Sequence, residues 1–263
     1  MDLLSEIVSS KRQRVNLAKK SVSLAEMRTL ADQARVGIRS HALIGALSAE
    51  INIIAEFKRR SPSKGEIRQD ADPAATARAY EKAGAAAVSV LTEENYFDGS
   101  LDDLRSVRQA ISLPILRKDF IFDEYQVYEA AAAGADALLL VVAVLNDETL
   151  VRLRLLAEDE LGMDALIEVH TADEMRRAGR CGTKVIGVNN RDLRTFATSL
   201  ETSVQLAALA PNDAVLISES GIESSDDIRR LQELGYRGFL IGERLMRAED
   251  PAEKLRRLIS STR

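Results

Sequence analysis

Five ionisable residues stand at the ends of short apolar runs in this sequence. The runs are rich in valine, isoleucine, leucine and alanine, and charged or polar residues follow each of them. Lysine can donate a proton or balance an anion, and a buried carboxylate can accept a proton or stabilise a cation. The set is suited to acid–base chemistry on a small molecule, and its members are Glu56, Lys58, Lys118, Glu168 and Glu219.

Glu56 and Lys58 belong to one run and lie two positions apart. If that run is a strand, both side chains point to the same side and Phe57 points to the other. A structural ion pair is the alternative interpretation of such a pair. Three further run ends also carry ionisable groups, which packing does not require, so we favour a functional site.

Two glycine-containing turns, Ser220-Gly221-Ile222 and Ile241-Gly242-Glu243, follow the last two runs. Glycine lets backbone N–H groups approach an anion closely, and α/β barrels commonly bind phosphate after strands 7 and 8. Either glycine alone would indicate an ordinary turn, but their joint position predicts a phosphate site. The loop from Arg59 to Gly65 adds hydroxyl and cationic groups, among them Ser61; its alternative is a turn with solvated charges.

Eight apolar runs alternate with amphipathic segments, as repeated βα units do. Gly84, Gly134 and Gly235 stand where helix C-terminal caps are expected. This pattern predicts a (β/α)8 TIM barrel, in which all C-terminal strand ends surround one mouth. An open doubly wound sheet is the alternative, but no Gly-x-Gly-x-x-Gly turn follows the first run. The runs are 51–57, 86–91, 114–116, 137–142, 165–169, 185–188, 214–217 and 238–241.

The segment before the first run, residues 1 to about 48, has apolar positions at helical spacing among many charges. We expect it to be a helical N-terminal extension, and its first apolar positions are Leu3, Leu4 and Ile7. A length of 263 residues suits one barrel of about 250 residues with such an addition. Residues 1–263 are therefore predicted to form a single domain.

Composition bears on the location and the partners of the protein. The net charge is -5 and the basic residues are scattered, which argues against nucleic-acid binding. One cysteine, Cys181, and the lack of a long apolar N-terminal run predict a cytoplasmic protein with no membrane association. A closed barrel has no exposed sheet edge that demands a partner, so we expect a monomer or weak homo-oligomer.

No cofactor or metal is expected. His41 and His170 lie outside any metal-ligand spacing, and each is predicted to be a surface or supporting histidine. No nicotinamide, flavin or pyridoxal motif is present. The expected ligand is a phosphorylated small molecule.

The segment 53–65, IIAEFKRRSPSKG, closely resembles the signature of indole-3-glycerol-phosphate synthases. The resemblance covers about residues 50 to 247, and the predicted extension also looks like that family's N-terminal helices. It implies the (β/α)8 fold and a reaction of tryptophan biosynthesis, in which 1-(2-carboxyphenylamino)-1-deoxyribulose 5-phosphate gives indole-3-glycerol phosphate, carbon dioxide and water. Further matches are TE at 92–93, YFDGS at 96–100, LRKDF at 116–120, LIEVH at 166–170, GVNNRDL at 187–193, SESGI at 218–222, IGE at 241–243 and LM at 245–246.

The resemblance implies roles for the ionisable residues. Lys118 is the expected general acid for ring closure, and Lys58 is expected to pair with the substrate carboxylate and to assist the later dehydration. Glu168 is the predicted carboxylate that stabilises the cationic intermediate and takes part in proton transfer. Glu56 and Glu219 are expected to position the lysines or to share that work.

Further residues are expected to hold the substrate. Asn189 is predicted to orient a substrate hydroxyl or a catalytic side chain. Phe97 and Phe120 would supply apolar walls for the aromatic ring, or else pack the loops. Arg244 stands where members often have a small or hydroxyl residue, and it would either contact the phosphate or point to solvent. The expected phosphate groups are Lys58, Ser61, Arg191, Ser220, Gly221, Gly242 and Glu243, the last through its backbone.

Two other functions remain open at this level. Another phosphate-binding barrel, such as a phosphoribosyl isomerase, would share the glycine turns but would not need two lysines with three carboxylates. A non-catalytic barrel that binds a phosphorylated metabolite or a partner protein need not retain proton donors.

Overall fold

A computed structural model describes residues 3–49, 51–192 and 195–261 of the chain. Eight parallel strands close into a barrel in which each strand pairs with its sequence neighbours and the last pairs with the first. The predicted TIM barrel is therefore confirmed. The strands are β1 (Asn52–Phe57), β2 (Ala87–Leu91), β3 (Ile115–Lys118), β4 (Ala137–Val141), β5 (Asp164–Val169), β6 (Val185–Asn189), β7 (Val215–Glu219) and β8 (Tyr236–Ile241).

Helices surround the barrel and precede it. In the predicted extension, of which residues 1 and 2 lie outside the described part, three helices come before β1. A short antiparallel hairpin, Arg60–Ser61 with Gly65–Glu66, forms in the loop after β1. The helices are α1 (Leu3–Ser21), α2 (Leu24–Arg35), α3 (Ala42–Ala46), α4 (Pro73–Ala83), α5 (Glu94–Phe97), α6 (Leu101–Ala110), α7 (Glu124–Ala132), α8 (Asp147–Leu155, continued by a π-helical turn Leu156–Glu160), α9 (Ala172–Arg180), α10 (Glu201–Ala207), α11 (Ser225–Glu233), α12 (Glu243–Met246) and α13 (Pro251–Ser260).

Local sequence signals begin and end these helices. Asp72 caps α4 by accepting the N–H of Ala75, and proline takes the first helical position, where no N–H partner is needed. Gly84, Gly134 and Gly235, the predicted helix terminators, have φ angles of 92°, 90° and 94°. Only glycine adopts this left-handed conformation without steric cost, so these residues end their helices and turn the chain toward the next strand.

Alternation along the strands divides the apolar residues into two layers. Along β1, Ile54 belongs to the cluster inside the barrel, whereas Ile53, Ala55 and Phe57 belong to the layer between strands and helices. The next inward position on β1 is Glu56. The barrel interior is thus apolar along most of its length and becomes charged where the strands end.

An ionic network attaches α1 to β3. Lys11 is only 1% exposed, and its ammonium donates to Asp119 Oδ2 at 3.2 Å. Arg117, which is fully buried, donates to Asp119 at 3.0 Å and to Glu129 at 2.8 Å. Arg14 of α1 reaches Glu129 at 2.7 Å. Buried charges are tolerated only when they are paired, so the extension supplies charges that β3 requires.

The described helices include none that is both long and apolar enough to cross a membrane.

Candidate active site

The carboxyl ends of all eight strands surround one cavity of about 740 Å³. Every residue predicted to act in catalysis or substrate binding lines it. Convergence of strand ends explains how residues from 56 to 243 in the sequence come together. The fourteen predicted residues in its lining are Glu56, Lys58, Ser61, Phe97, Lys118, Phe120, Glu168, Asn189, Arg191, Glu219, Ser220, Gly221, Gly242 and Glu243.

Lys118 lies between two carboxylates in this cavity. Its ammonium donates to Glu168 Oε2 at 2.6 Å and to Glu219 Oε2 at 2.7 Å. Burial disfavours the charged ammonium, but the neighbouring carboxylates outweigh burial and raise the pKa of Lys118 well above its ordinary value. Lys118 is therefore protonated throughout the neutral pH range.

Glu168 and Glu219 contact the same lysine but differ in their other surroundings. Burial opposes ionisation of Glu168, yet Lys118 and His170 together hold the pKa of Glu168 well below its usual range. For Glu219, burial and the nearby Glu168 carboxylate outweigh Lys118 and raise its pKa to about 7. Its Oε1 atom is buried and has no hydrogen-bond partner among the described residues. One carboxylate is thus a fixed anion, and the other can exchange a proton near neutral pH.

Two glycines make room for carboxylates of the site, each beside the strand that carries its carboxylate. A Cβ atom on Gly187 of β6 would lie 2.1 Å from Glu219 Oε1, and one on Gly242, after β8, would lie 2.1 Å from Glu56 Oε1. Both distances are far shorter than van der Waals contact, so no larger residue fits without displacing a carboxylate. Gly242, predicted only as a phosphate-binding residue, therefore also accommodates Glu56.

The second lysine forms its own ion pair. Lys58 Nζ lies 2.6 Å from Glu56 Oε1, as expected for side chains on one side of β1. The side chains of Lys58 and Glu56 are 15% and 5% exposed, so the pair is partly open to the cavity. A ligand carboxylate can therefore approach Lys58.

His170 lies just beyond the end of β5, behind Glu168. Its Nε2 atom is 3.4 Å from Glu168 Oε1, and its Nδ1 atom is 3.2 Å from Glu174 Oε2. The imidazole is only 11% exposed. Strand alternation, which sets side chains two positions apart on one side, was the available signal, but His170 lies beyond the end of β5 and its orientation depends on the turn into α9.

Another end of the cavity is formed by the loops after β6, β7 and β8. Arg191 donates to Ser63 Oγ at 2.9 Å and lies 3.5 Å from Glu243 Oε2. Ser220 and Gly221 have φ angles of 65° and 76°, so two successive residues are left-handed and the chain turns sharply after β7. Asn189 Oδ1 accepts the backbone N–H of Arg191 at 3.1 Å, which fixes the start of the loop after β6.

Arg244 also lines the cavity, and it is not directed entirely to solvent. Its Nε atom is buried and lacks a hydrogen-bond partner within the described part of the chain. The guanidinium therefore has donor capacity left for a ligand.

Apolar side chains form the remaining wall. The rings of Phe97 and Phe120 have centroids 6.4 Å apart and are tilted by 42°, so they pack on each other as well as lining the cavity. The cavity is also lined by Leu3, Leu4 and Ile7 of α1, which were predicted only as part of the helical extension. Their helical spacing was the available signal, but spacing alone does not say what the apolar face covers.

The loop after β1 is attached to the end of α5 and the first turn of α6. Arg59 forms two hydrogen bonds to the Asp103 carboxylate, at 2.7 and 2.8 Å, and one to the carbonyl oxygen of Asp98 at 3.3 Å. Arg59 directly precedes the hairpin that contains Ser61, so these contacts hold Ser61 beside the cavity. Its hydroxyl oxygen is buried and has no partner among the described residues.

In the described residues, no group of three or more histidine, cysteine, aspartate or glutamate side chains is arranged to hold a metal ion.

Comparison with known proteins shows to which family the chain belongs. The family model described as Indole-3-glycerol phosphate synthase matches residues 4–258. The chain belongs to the indole-3-glycerol phosphate synthase family. An indole-3-glycerol phosphate synthase of Carboxydothermus hydrogenoformans is 46% identical over 98% of this chain and 99% of its own length. One of Bacteroides thetaiotaomicron is 45% identical over 99% of this chain and 98% of its own length.

Solved structures agree on the fold alone. A thiamine phosphate pyrophosphorylase from Pyrococcus furiosus aligns with a TM-score of 0.61 at 16% identity, covering 81% of this chain and 96% of that one. KGPDC from Streptococcus mutans aligns with a TM-score of 0.62 at 15% identity, covering 81% and 97%.

Membership of the indole-3-glycerol phosphate synthase family confirms the predicted function, a carboxy-lyase of tryptophan biosynthesis. The phosphoribosyl isomerase and the non-catalytic barrel are set aside, because the full-length relatives carry the synthase name. A phosphorylated small molecule is the substrate that fits this family.

Proposed function

We propose that this cavity converts 1-(2-carboxyphenylamino)-1-deoxyribulose 5-phosphate to indole-3-glycerol phosphate, carbon dioxide and water, with Lys118 as the general acid of ring closure. One observation carries the assignment. The Lys118 ammonium is buried at the mouth of the barrel between Glu168 and Glu219, at 2.6 and 2.7 Å. The first step requires a protonated donor that is held in a fixed position beside the cavity.

In ring closure, an aromatic carbon of the substrate attacks the ketone carbon. Negative charge develops on the ketone oxygen, and positive charge develops on the aniline nitrogen and the ring. Lys118 gives its proton to the oxygen, which becomes a hydroxyl group. Glu168, whose pKa Lys118 and His170 hold well below its usual range, stabilises the positive charge.

Decarboxylation and dehydration follow. The ring carboxylate leaves as carbon dioxide, and its bonding electrons return to the ring. The new hydroxyl leaves as water after protonation, and loss of a proton completes the indole. We assign this proton exchange to Glu219, whose pKa of about 7 suits it better than that of Glu168. Glu168 then keeps only the electrostatic part of its predicted role.

Lys58 and Glu56 serve the carboxylate end of the substrate. Because Lys58 is partly open to the cavity, its ammonium can pair with the substrate carboxylate while Glu56 holds it at 2.6 Å. After decarboxylation Lys58 is free to assist dehydration as the donor to the departing hydroxyl. Asn189 orients a substrate hydroxyl from the end of β6.

The phosphate end needs cations, since a phosphate carries about -1.5 to -2 charge near neutral pH. Arg191 and Arg244 supply positive charge, and the left-handed turn at Ser220 and Gly221 supplies backbone N–H groups. The other groups assigned to the phosphate are the Ser61 hydroxyl and the backbone at Gly242 and Glu243, while Lys58, which was also expected there, is assigned to the carboxylate. Phe97 and Phe120 form the wall for the aromatic ring.

We further propose that the protein works in the cytoplasm as a monomer or weak homo-oligomer. The eight described strands close into a barrel, which leaves no edge of that sheet that demands a partner. A net charge of -5 makes nucleic acid an unsuitable partner.

Substitution of Lys118 tests the assignment. In Lys118→Ala we expect indole formation, followed by fluorescence, to fall by about 10² to 10⁴-fold, the usual contribution of a general acid. Lys82→Ala, at an exposed lysine in the last turn of α4, is the matched control and should keep full activity. Circular dichroism melting of both variants checks that they fold. Full activity of Lys118→Ala would remove this residue from the acid role.

A further inference from the structure

Glu168 has a second charged neighbour besides Lys118. One carboxylate oxygen, Oε2, accepts from Lys118 at 2.6 Å, and the other, Oε1, lies 3.4 Å from His170 Nε2. The 3.4 Å separation of His170 Nε2 and Glu168 Oε1 is within ion-pair distance, but the two groups are not aligned for a hydrogen bond. Each oxygen of Glu168 thus has its own basic partner.

The imidazole is held from its other side by Glu174. Glu174 is the third residue of α9, whose first turn is capped by Thr171 through the Glu174 N–H at 3.2 Å. From there Glu174 Oε2 accepts the backbone N–H of His170 at 2.7 Å and lies 3.2 Å from its Nδ1. One carboxylate oxygen therefore fixes both the backbone and the ring of His170.

Two carboxylates flanking one buried imidazole favour its charged form. Burial lowers the proton affinity of the ring, but Glu168 and Glu174 outweigh burial and raise the pKa of His170 to about 10. The charged groups that contact His170 within the described residues are Glu168 of β5 and Glu174 of α9, and Lys118 of β3 lies on the far side of Glu168.

We propose that His170, clamped by Glu174, is a positioning residue that holds Glu168 in place and shares its negative charge with Lys118. The inference rests on the proposed roles of Lys118 and Glu168. A lysine between two unshared carboxylates keeps its proton too tightly for an acid, because proton transfer would leave the carboxylates without a counter-charge. His170 remains as the counter-charge of Glu168 when Lys118 becomes neutral.

Kinetics of His170→Gln test the proposal. Glutamine keeps a neutral donor near the position of Nε2 but removes the charge. We expect kcat to fall by roughly five- to tenfold with KM within about twofold, because the acid step weakens while the phosphate end is untouched. Asp173→Asn is the matched control. It removes one charge from α9, three residues from His170, at an exposed side chain paired with Arg176, and it should keep full kcat.

The same assay separates failure of this inference from failure of the proposed function. If Lys118→Ala is inactive and well-folded His170→Gln keeps full kcat, the positioning role is wrong and the function stands. If Lys118→Ala itself keeps full activity, the proposed acid role of Lys118 fails, and the inference that rests on it fails as well.

A spectroscopic readout covers the case in which His170→Gln does not fold. The sequence has only two histidines, so ¹⁵N NMR of the imidazoles resolves His170 once His41→Gln has assigned the other signal. At pH 7.5 His170 should be an imidazolium, and a neutral ring would overturn the proposal whatever the activity.

Glu174→Gln keeps an oxygen for the backbone N–H but removes the second negative charge. The pKa of His170 should then fall, and kcat should decrease as pH rises through that lower pKa, a limb that the wild type lacks. A role confined to structure would leave the shape of the pH profile unchanged, and an unchanged shape would count against the positioning role.

Discussion

Gly187 offers a sharp test of the geometry, because its small size is what admits Glu219. A Cβ atom at this position would lie 2.1 Å from Glu219 Oε1 and 3.2 Å from the Glu219 carboxyl carbon. Ordinary contact begins at about 3.4 Å, so in Gly187→Ala the carboxylate must retreat by more than 1 Å. A retreat of that size breaks the 2.7 Å hydrogen bond from Lys118.

We expect kcat of Gly187→Ala to fall by about 10²-fold, the usual cost of a 1 Å misplacement in an active site. Initial rates of indole fluorescence at saturating substrate measure it. KM should change little, because the added methyl group meets Glu219 and Leu166 and none of the groups assigned to the phosphate.

Gly238→Ala is the matched control. Gly238 lies on β8, and its added Cβ would meet Ile217 Cγ1 at 2.6 Å inside the apolar part of the barrel. This variant should lose stability in urea denaturation while its folded fraction keeps normal kcat. Equal kcat losses in the two variants, or full kcat in Gly187→Ala, would refute the explanation based on Glu219.

Three further outcomes follow from the site and its supports. Arg191→Ala should raise KM about tenfold with a smaller change in kcat in steady-state kinetics, since Arg191 is assigned to the phosphate; an unchanged KM would move the phosphate elsewhere. Folding raises the pKa of Glu219 from 4.5 to about 7, so its protonation stabilises the folded wild type at low pH, and this stabilisation is lost as pH rises from about 4.5 to 7. Glu219→Gln lacks this group and should therefore become more stable relative to wild type over the same range. Thermal melting of both proteins at several pH values would reveal a constant difference if this is wrong. Lys11→Met should lower the free energy of unfolding by about 3 to 5 kcal/mol, because it leaves Asp119 buried with one cation fewer. Lys20→Met, on the exposed face of α1, is the control and should change the free energy of unfolding little.

The barrel and the centre of its site were predictable because local patterns carry them. Strand alternation sets Glu56 and Lys58 on one side of β1, and helix-ending glycines mark the repeat. Once eight strands close, geometry alone brings Lys118 and Glu219 to one mouth.

The strand prediction was least accurate at β3. The predicted run stopped at residue 116, whereas β3 continues to Lys118. Arg117 ended the apolar pattern, yet it is fully buried because Thr92, Asp119 and Glu129 accept its hydrogen bonds. Such long-range pairing leaves no periodic trace in the sequence.

Other features depend on packing between distant elements. The apolar face of α1 was visible in the sequence, but its place over the cavity depends on how α1 docks. The contact between His170 and Glu168 depends on the turn into α9, and the fit of Gly187 against Glu219 depends on the register of β6 with β7. Propensity and spacing determine none of these three.

The ionic contacts of α1 also bear on the order in which the molecule folds. Lys11 and Asp119 are separated by 108 positions, so α1 leaves the ribosome long before its partners on β3 exist. An isolated helix of 19 residues with few apolar contacts is only marginally stable in water. We therefore expect docking of α1 to follow formation of β2 and β3, and closing so long a loop should slow it further. We therefore expect α1, which precedes β3 in the chain, to reach its final position after β3 has formed, with the charges at the end of β3 hydrated and the mouth of the barrel uncovered until then.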